Sequence, residues 1–299
     1  MSGMRPEVAV AFIIREKFAW SLASLERLYA LAETPFRLYF VDGGYPPALL
    51  PALDAFLASK TNVVRLKAPR FLYPSESLNL ALPSIEEPYV FLLQNDVLIG
   101  RGALLSLLET AARLDCDGVS PDVLDTDFGA PAAHRESTLP LAISERDGKV
   151  WIEPEASPER REGFRRLHHF EVHCILLRTQ ALRSLGPLPP LSVHDHVDLV
   201  LGMWRQGRTI YFDERAKVLY MDVPPLQLRD YECPFFRFRW DPARARQSHD
   251  YVRDKWRMGN LFDSTPFIER QHGAMQPGKV LTSYASALET DQWPAEIVP

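Results

Sequence analysis

Tyr89-Val90-Phe91-Leu92-Leu93-Gln94-Asn95-Asp96-Val97 is an apolar run that stops abruptly in amide and carboxylate side chains. A run of this length reads as a buried strand, and a strand ending in polar groups is how an open α/β sheet delivers ligand-binding residues to its carboxyl edge. Asn-Asp is also a common turn pair, so the run alone leaves a turn and a nucleotide or metal site equally open.

Outward from this run, strand-like and helix-like periods alternate. Val8 to Ile14 is a continuous apolar strand, and Trp20 to Leu31 carries Leu22, Leu25, Leu28 and Leu31 at helical spacing. Leu38-Tyr39-Phe40-Val41 runs into the turn Asp42-Gly43-Gly44, and Leu49 to Leu57 is a helix with proline at its start. Val63 to Leu66 is a third strand, and Ser75 to Leu82 reads as a serine-capped helix. Leu104 to Leu114 is helical, and Gly118-Val119-Ser120 begins another strand or turn. Parallel strands need helical crossovers, so this alternation predicts a doubly wound, mostly parallel sheet.

Residues 122–168, rich in charge and proline, read as an irregular excursion. Glu171 to Leu177 resumes as a strand, Asp195 to Gln206 is a helix, and Thr209 to Phe212 and Val218 to Tyr220 are two further strands. From Pro224 onward aromatic and arginine residues interleave, and the last ~25 residues are too polar and pattern-free to predict as core, with disorder the expectation there. The expected division is a domain over 1–222, split into a nucleotide-binding half (1–121) and an acceptor-side half (122–222), followed by an extension over 223–299.

Composition narrows the partners. The 299 residues are 46% hydrophobic with a formal net charge of -5, enough for a real core and without the basic footprint of a nucleic-acid binder. Cys116, Cys174 and Cys233 are odd in number and widely spaced, which fits neither a disulfide framework nor a zinc knuckle and predicts a reducing, cytoplasmic setting. No stretch has the length of apolar sequence needed to span a bilayer, which leaves peripheral membrane contact open. The phosphate loop Gly-x-x-x-x-Gly-Lys-Ser/Thr is missing, as is a Gly-x-Gly-x-x-Gly turn after the first strand, which argues against a P-loop NTPase and a dinucleotide-binding oxidoreductase.

Three constellations carry chemistry. Asp42 at a strand end could accept hydrogen bonds from a ribose or base, with Gly43-Gly44 admitting a ligand to the backbone; the competing reading is a plain Asp-Gly turn. Asn79 with Asn95 and Asp96 offers oxygen ligands suited to magnesium or manganese. In Ser192-Val193-His194-Asp195-His196-Val197-Asp198, a helical period of 100° per residue places Asp195, Asp198 and Gly202 on one face, opposite Val197, Val200, Leu201 and Trp204. That face could hold a general base, although Ser192-x-x-Asp195 also reads as a capping box and acids favour a first helical turn.

The order and spacing of these groups resemble the inverting family 2 glycosyltransferases, whose fold is GT-A, over residues 7–222. The resemblance implies that Asp42 contacts the nucleoside, that Asn79 and Asn95 lie near the nucleotide, that Asp96 binds a metal and the sugar diphosphate, and that Asp195, His196 and Asp198 supply the base. It also implies Mn2+ or Mg2+, expected to be weakly held and donor-dependent because Gln94 replaces a carboxylate beside Asp96, a nucleotide-sugar donor, UDP-linked in the first instance, and a carbohydrate, lipid-linked or other small acceptor. Gln94 stands where the first aspartate of Asp-x-Asp is usual, His196 where many members carry the second acid of the pair, and the histidine that often follows the last strand is replaced by Asp222.

The expected reaction is direct displacement with inversion, Asp195 ranking first as base and His196 second, in polysaccharide or glycoconjugate biosynthesis. The alternative is a catalytically degenerate sugar-nucleotide-binding homologue serving as a binding or scaffold module, with a nucleotidyltransferase third. The excursion at 122–168 and the stretch Cys233 to Trp240 offer aromatic faces and arginines to an acceptor; a packed aromatic cluster with a charged rim, or, with Arg253, Lys255, Trp256 and Arg257, a membrane-facing patch, compete with that reading.

Overall fold

The computed structural model describes residues 7–125, 133–134, 140–221 and 229–274. The expectations for Asp222 and for residues 275–299 lie outside the described residues, as does part of the charged excursion.

Strands β1 (Val8–Ile13), β2 (Phe36–Asp42), β3 (Val63–Lys67) and β4 (Tyr89–Gln94) are linked by helices α1 (Ser21–Leu31), α2 (Leu50–Ala58) and α3 (Pro74–Ala81). There follow β5 (Val97–Ile99), α4 (Ala103–Leu114), β6 (Gly118–Asp125), β7 (Ala133–His134), the hairpin β8 (Leu141–Arg146) and β9 (Lys149–Pro154), and the short β10 (Arg160–Arg161) and β11 (Phe164–Leu167). Then come β12 (Cys174–Arg178), α5 (Thr179–Arg183), α6 (Asp195–Arg205), β13 (Ile210–Tyr220), α7 (Cys233–Arg239), α8 (Pro242–Trp256) and α9 (Thr265–Ala274).

The main sheet runs β10-β11-β13-β6-β12-β4-β1-β2-β3. β1 lies between β2 and β4 and is parallel to both, so the chain first winds outward to β3 and then returns to the other side of β1. That reversal opens a crevice at the carboxyl ends of β1 and β4, where open α/β sheets bind ligands. β12 enters antiparallel between β4 and β6, making the sheet mixed.

β1 reads as an unbroken apolar run because both its faces are buried. Val8, Val10 and Phe12 join a core with Leu25 and Leu28 of α1, Leu53 of α2 and Leu107 of α4. Ala9, Ala11 and Ile13 face the other way, to Leu78 of α3, Val200 and Leu201 of α6 and Val252 of α8. The period of two along one strand therefore sorts the helices into two layers.

The structure departs from the sequence reading locally. β5 follows Asp96 at once and pairs with the end of β13, a three-residue strand too short to show a period. The two expected strands at 209–212 and 218–220 are one strand, interrupted by a register shift between Asp213 and Lys217. The described part of the excursion contains the end of β6, the short β7 paired with it, the hairpin β8–β9 and the short paired strands β10 and β11. The serine cap of α3 is replaced by Tyr73, with Pro74 starting the helix and the Glu76 carboxylate accepting from the Tyr73 N–H at 3.0 Å.

The aromatic stretch near the C-terminus is packed. Phe235 of α7 is 1% exposed and meets Phe18 and Phe71 edge-on, at 4.9 and 5.3 Å between ring centroids. Trp240 Nε1 donates to Glu16 in the loop after β1, which ties the described part of 223–299 to the first strand.

Candidate active site

The loop leaving β1 carries Arg15, Glu16 and Lys17, the last in the left-handed region at φ 56°. Asn95, at the end of β4, fastens this loop: Oδ1 accepts from Arg15 N at 2.9 Å, and Nδ2 donates to Glu16 O at 2.8 Å and Ser21 Oγ at 3.2 Å. Its amide is thereby spent within the fold.

Asp96 is different. It is wholly buried, and neither carboxylate oxygen has a hydrogen-bond partner on any other described residue. Burial pushes its pKa up to about 6, against the opposing pull of Lys17 and Arg15. A buried carboxylate without hydrogen-bond partners is costly, and nearby Lys17 and Arg15 offset part of that cost. The two neighbouring cations are themselves held by protein: Lys17 Nζ donates to Met221 O at 2.8 Å, and Arg15 donates to Tyr220 Oη. His173 stacks on Tyr220 at 4.3 Å, and its Nδ1 lies 2.7 Å from both Arg15 Nη1 and Gln94 Oε1. One tautomer satisfies only one of those two contacts.

A cleft of about 520 Å³ opens beside these groups. Arg15, Gln94 and His173 line one side, and consecutive residues Val193, His194, Asp195, His196 and Val197 at the start of α6 line another. Glu171 spans the two, 3.7 Å from His173 Nε2 and 3.8 Å from His196 Nε2, while His196 Nδ1 lies 4.0 Å from Asp195 Oδ1. His196 thus stands between two carboxylates at the cleft. His194 and His169 are a contrast: burial lowers their pKa values to about 3 and about 4, so both are neutral at ordinary pH.

Helical-wheel geometry puts Asp195 with Asp198 and His196 away from both, and here the structure corrects the sequence. α6 presents its N-terminal end to the cleft, so first-turn neighbours converge there irrespective of face. Asp198 does not line the cleft: it is 4% exposed and receives Lys255 Nζ and Trp256 Nε1, each at 2.7 Å, binding α6 to α8. The Ser192 capping box is not formed either. His194 occupies the N-cap position at φ 59°, and Ser192 pairs with Ser248.

Asp42 and Asn79 sit outside this cleft. Asp42 Oδ1 accepts from the N–H groups of Gly44 and Tyr45 at 3.2 and 3.1 Å, a turn that satisfies that oxygen locally. The expectation that Gly43 and Gly44 admit a ligand is corrected by what fills the space: a Cβ on Gly44 would stand 2.4 Å from the Phe71 ring, and one on Gly43 3.1 Å from Leu72. Asn79 exchanges two hydrogen bonds with the backbone of Leu188, at 2.8 and 2.9 Å.

Arg15, Lys17, Glu171 and His173 were not anticipated from sequence. The basic pair has a readable signal, two cations directly after the first apolar strand at the edge where ligands bind. Glu171 and His173 have none, because β12 reaches this edge only through its antiparallel pairing with β4.

The donor set decides how a cation would fit. Among the described residues no group of three or more His, Cys, Asp or Glu side chains is placed to hold a metal ion. Asp96 offers a single orphaned carboxylate, which fits one ligand of a magnesium- or manganese-type site completed by phosphate and water oxygens.

No family model matches the sequence, and no curated protein matches it. Solved structures do share its fold. GalNAc-T7 with UDP, GalNAc and Mn2+ aligns with a TM-score of 0.56 at 10% identity, covering 74% of this chain and 44% of that one. The mannosyltransferase PcManGT from Pyrobaculum calidifontis, in complex with GDP-Man and Mn2+, gives 0.54 at 12% identity, covering 90% and 70%. S. aureus TarS 1-349 gives 0.52 at 14%, covering 89% and 70%. This chain thus spans less than half the length of the first of these. The architecture is that of the GT-A glycosyltransferases. Among the described residues no helix is long and apolar enough to cross a membrane.

Proposed function

We propose that this protein moves a sugar from a nucleotide-sugar donor, UDP-linked, to an acceptor hydroxyl with inversion, as the family 2 resemblance suggests. The observation that carries the proposal is the Glu171–His196–Asp195 cluster on a cleft that Arg15 and Gln94 also line, with the buried, unpartnered Asp96 carboxylate two residues beyond Gln94.

The acceptor hydroxyl gives its proton to His196, and its oxygen attacks the anomeric carbon while the bond to the nucleoside diphosphate breaks on the opposite face. Glu171 and Asp195 stabilise the imidazolium that results. We rank His196 before Asp195 because it is the more open of the two, with 25% of its side chain exposed against 9%. Arg15 and Lys17 provide positive charge for the departing diphosphate. A divalent cation bound at Asp96 would add to that neutralisation. Asn95 supports the donor indirectly by fastening the loop that carries Arg15 and Lys17, whereas Asp42 and Asn79 serve the fold.

A second reading, a sugar-nucleotide-binding homologue without turnover, draws on one observation: Gln94 is engaged by His173 and leaves Asp96 as the lone carboxylate of the motif. A thermal-shift series tests both. UDP at about 100 times its dissociation constant stabilises the fold by roughly 2.7 kcal/mol, several degrees at this size, and more with Mn2+ than with chelator. No shift with UDP or GDP, with or without Mn2+, defeats both readings, whereas a shift without consumption of any nucleotide sugar favours the second.

A further inference from the structure

The C-terminal wall of the cleft holds a charge that the proposed transfer does not use. Arg239, the last residue of α7, lines the cleft beside Trp240 and is 4% exposed. Its Nε and Nη1 have no hydrogen-bond partner among the described residues. The guanidinium lies over the Trp240 ring, 5.1 Å from its centroid, and two of its three nitrogens are left without acceptors; burial draws its pKa down while Asp195 pulls the other way. The fold therefore retains a buried cation whose donors stand at a cleft wall.

We propose that Arg239 binds an anionic group, a carboxylate or a phosphate ester, carried by the acceptor, so that the acceptor is an acidic glycan or polyol and not a neutral one. This rests on the transferase reading above. The planar fork of a guanidinium matches two oxygens of either group. The surrounding wall fits the rest of such a molecule. Trp240 and Phe267 meet edge-on at 6.3 Å, and Phe262, 73% exposed, stands at the rim, giving aromatic faces of the kind that stack on sugar rings. Arg239 lines the same cleft as Asp195 and His196, so an anion held there shares the cleft with the proton-accepting cluster, and we assign it to the acceptor. Arg15 and Lys17, in the loop after β1, already donate to Tyr220 Oη and Met221 O.

The test uses the full chain saturated with UDP and Mn2+, so that the donor site is filled, at ionic strength held constant with sodium chloride. Inorganic phosphate, glucuronate and glucose are then titrated separately and the melting temperature followed. Phosphate or glucuronate should add a further shift of a few degrees at about ten times its dissociation constant, and glucose none. A response to phosphate alone assigns a phosphate ester, and a response to glucuronate alone a carboxylate. Arg239→Met, similar in length and uncharged, should keep the UDP shift and lose the anion shift. Arg239→Lys, which keeps charge without the fork, should weaken anion binding at least tenfold, and it serves if the methionine variant does not fold. Competition between phosphate and UDP, loss of the UDP shift in Arg239→Met, or equal responses to glucose and glucuronate would each overturn the proposal. Absence of a UDP shift in the unaltered protein would instead strike the transferase reading.

Discussion

The edge formed by β2 and α3 and the crevice formed by β1 and β4 carry the same kinds of side chain and treat them oppositely. At the first, Asp42 closes a turn, Asn79 pairs with the Leu188 backbone, and Phe71 and Leu72 fill the room left by two glycines. At the second, Asp96 and Arg239 are buried with polar atoms left unmatched. Asn95, one residue from Asp96, makes three hydrogen bonds and belongs with the first group. Residue type and position at a strand end thus do not separate a group that holds the fold from one that meets a ligand. For the charged and amide groups the balance of donors and acceptors does, because an unmatched buried charge is costly, whereas the hydroxyl Ser77 Oγ of α3 is left buried and unmatched at the first edge.

Three substitutions would break or sharpen that contrast. The largest effect belongs to the cluster at α6: His196→Ala should lower turnover by roughly 10²- to 10⁴-fold while leaving the melting temperature and the UDP shift near those of the parent. A loss under tenfold would move the proton to Asp195.

Asp96→Asn comes next and runs against the usual direction of active-site changes, since it should stabilise the unliganded protein. The folded pKa near 6 exceeds the ordinary 3.8, so the folded state holds the proton more tightly than the unfolded chain does. Stability of the parent therefore falls as pH rises from about 4 to about 6, and above that window the buried charge costs on the order of 3 kcal/mol. Urea denaturation should show the asparagine variant more stable at pH 8 and level with the parent at pH 4. A constant difference across that range would place Asp96 in a solvated setting. The smallest effect is that of Asn79→Ala, which deletes two backbone hydrogen bonds and should cost about 2 kcal/mol with no change in UDP affinity.

β1, β2 and β4 are legible because largely buried strands read as apolar runs, the edge strand β3 by its short Val63-Val64-Arg65-Leu66 run, and the intervening helices by their period. The continuity of β13 is hidden by charged Asp213, Glu214 and Arg215, which lie at its register shift. The candidate site is legible only in part. Asp96 and His196 stand out by chemistry at a strand end and a helix start. The partners that distinguish them from Asn95 and Asp198 come from Lys17, Glu171 and Lys255, and no local pattern reports contacts across such separations. Wheel geometry failed for Asp198 because it describes the flank of a helix, whereas α6 meets the cleft end-on.

The hydrogen bond from Trp240 to Glu16 joins residues 224 positions apart. Contacts of that separation form slowly, since the entropy of closing a long loop must be met before they contribute. During synthesis at roughly 5–20 residues per second, the strand that ends at Asp96 leaves the ribosome on the order of ten seconds before α7 does. For that interval Phe18 and Phe71 lack the ring of Phe235, and the cleft lacks the wall bearing Arg239. Until α7 follows, the nascent chain consequently displays a half-built crevice with aromatic surface uncovered, and the cleft is completed only after residue 239 has been made.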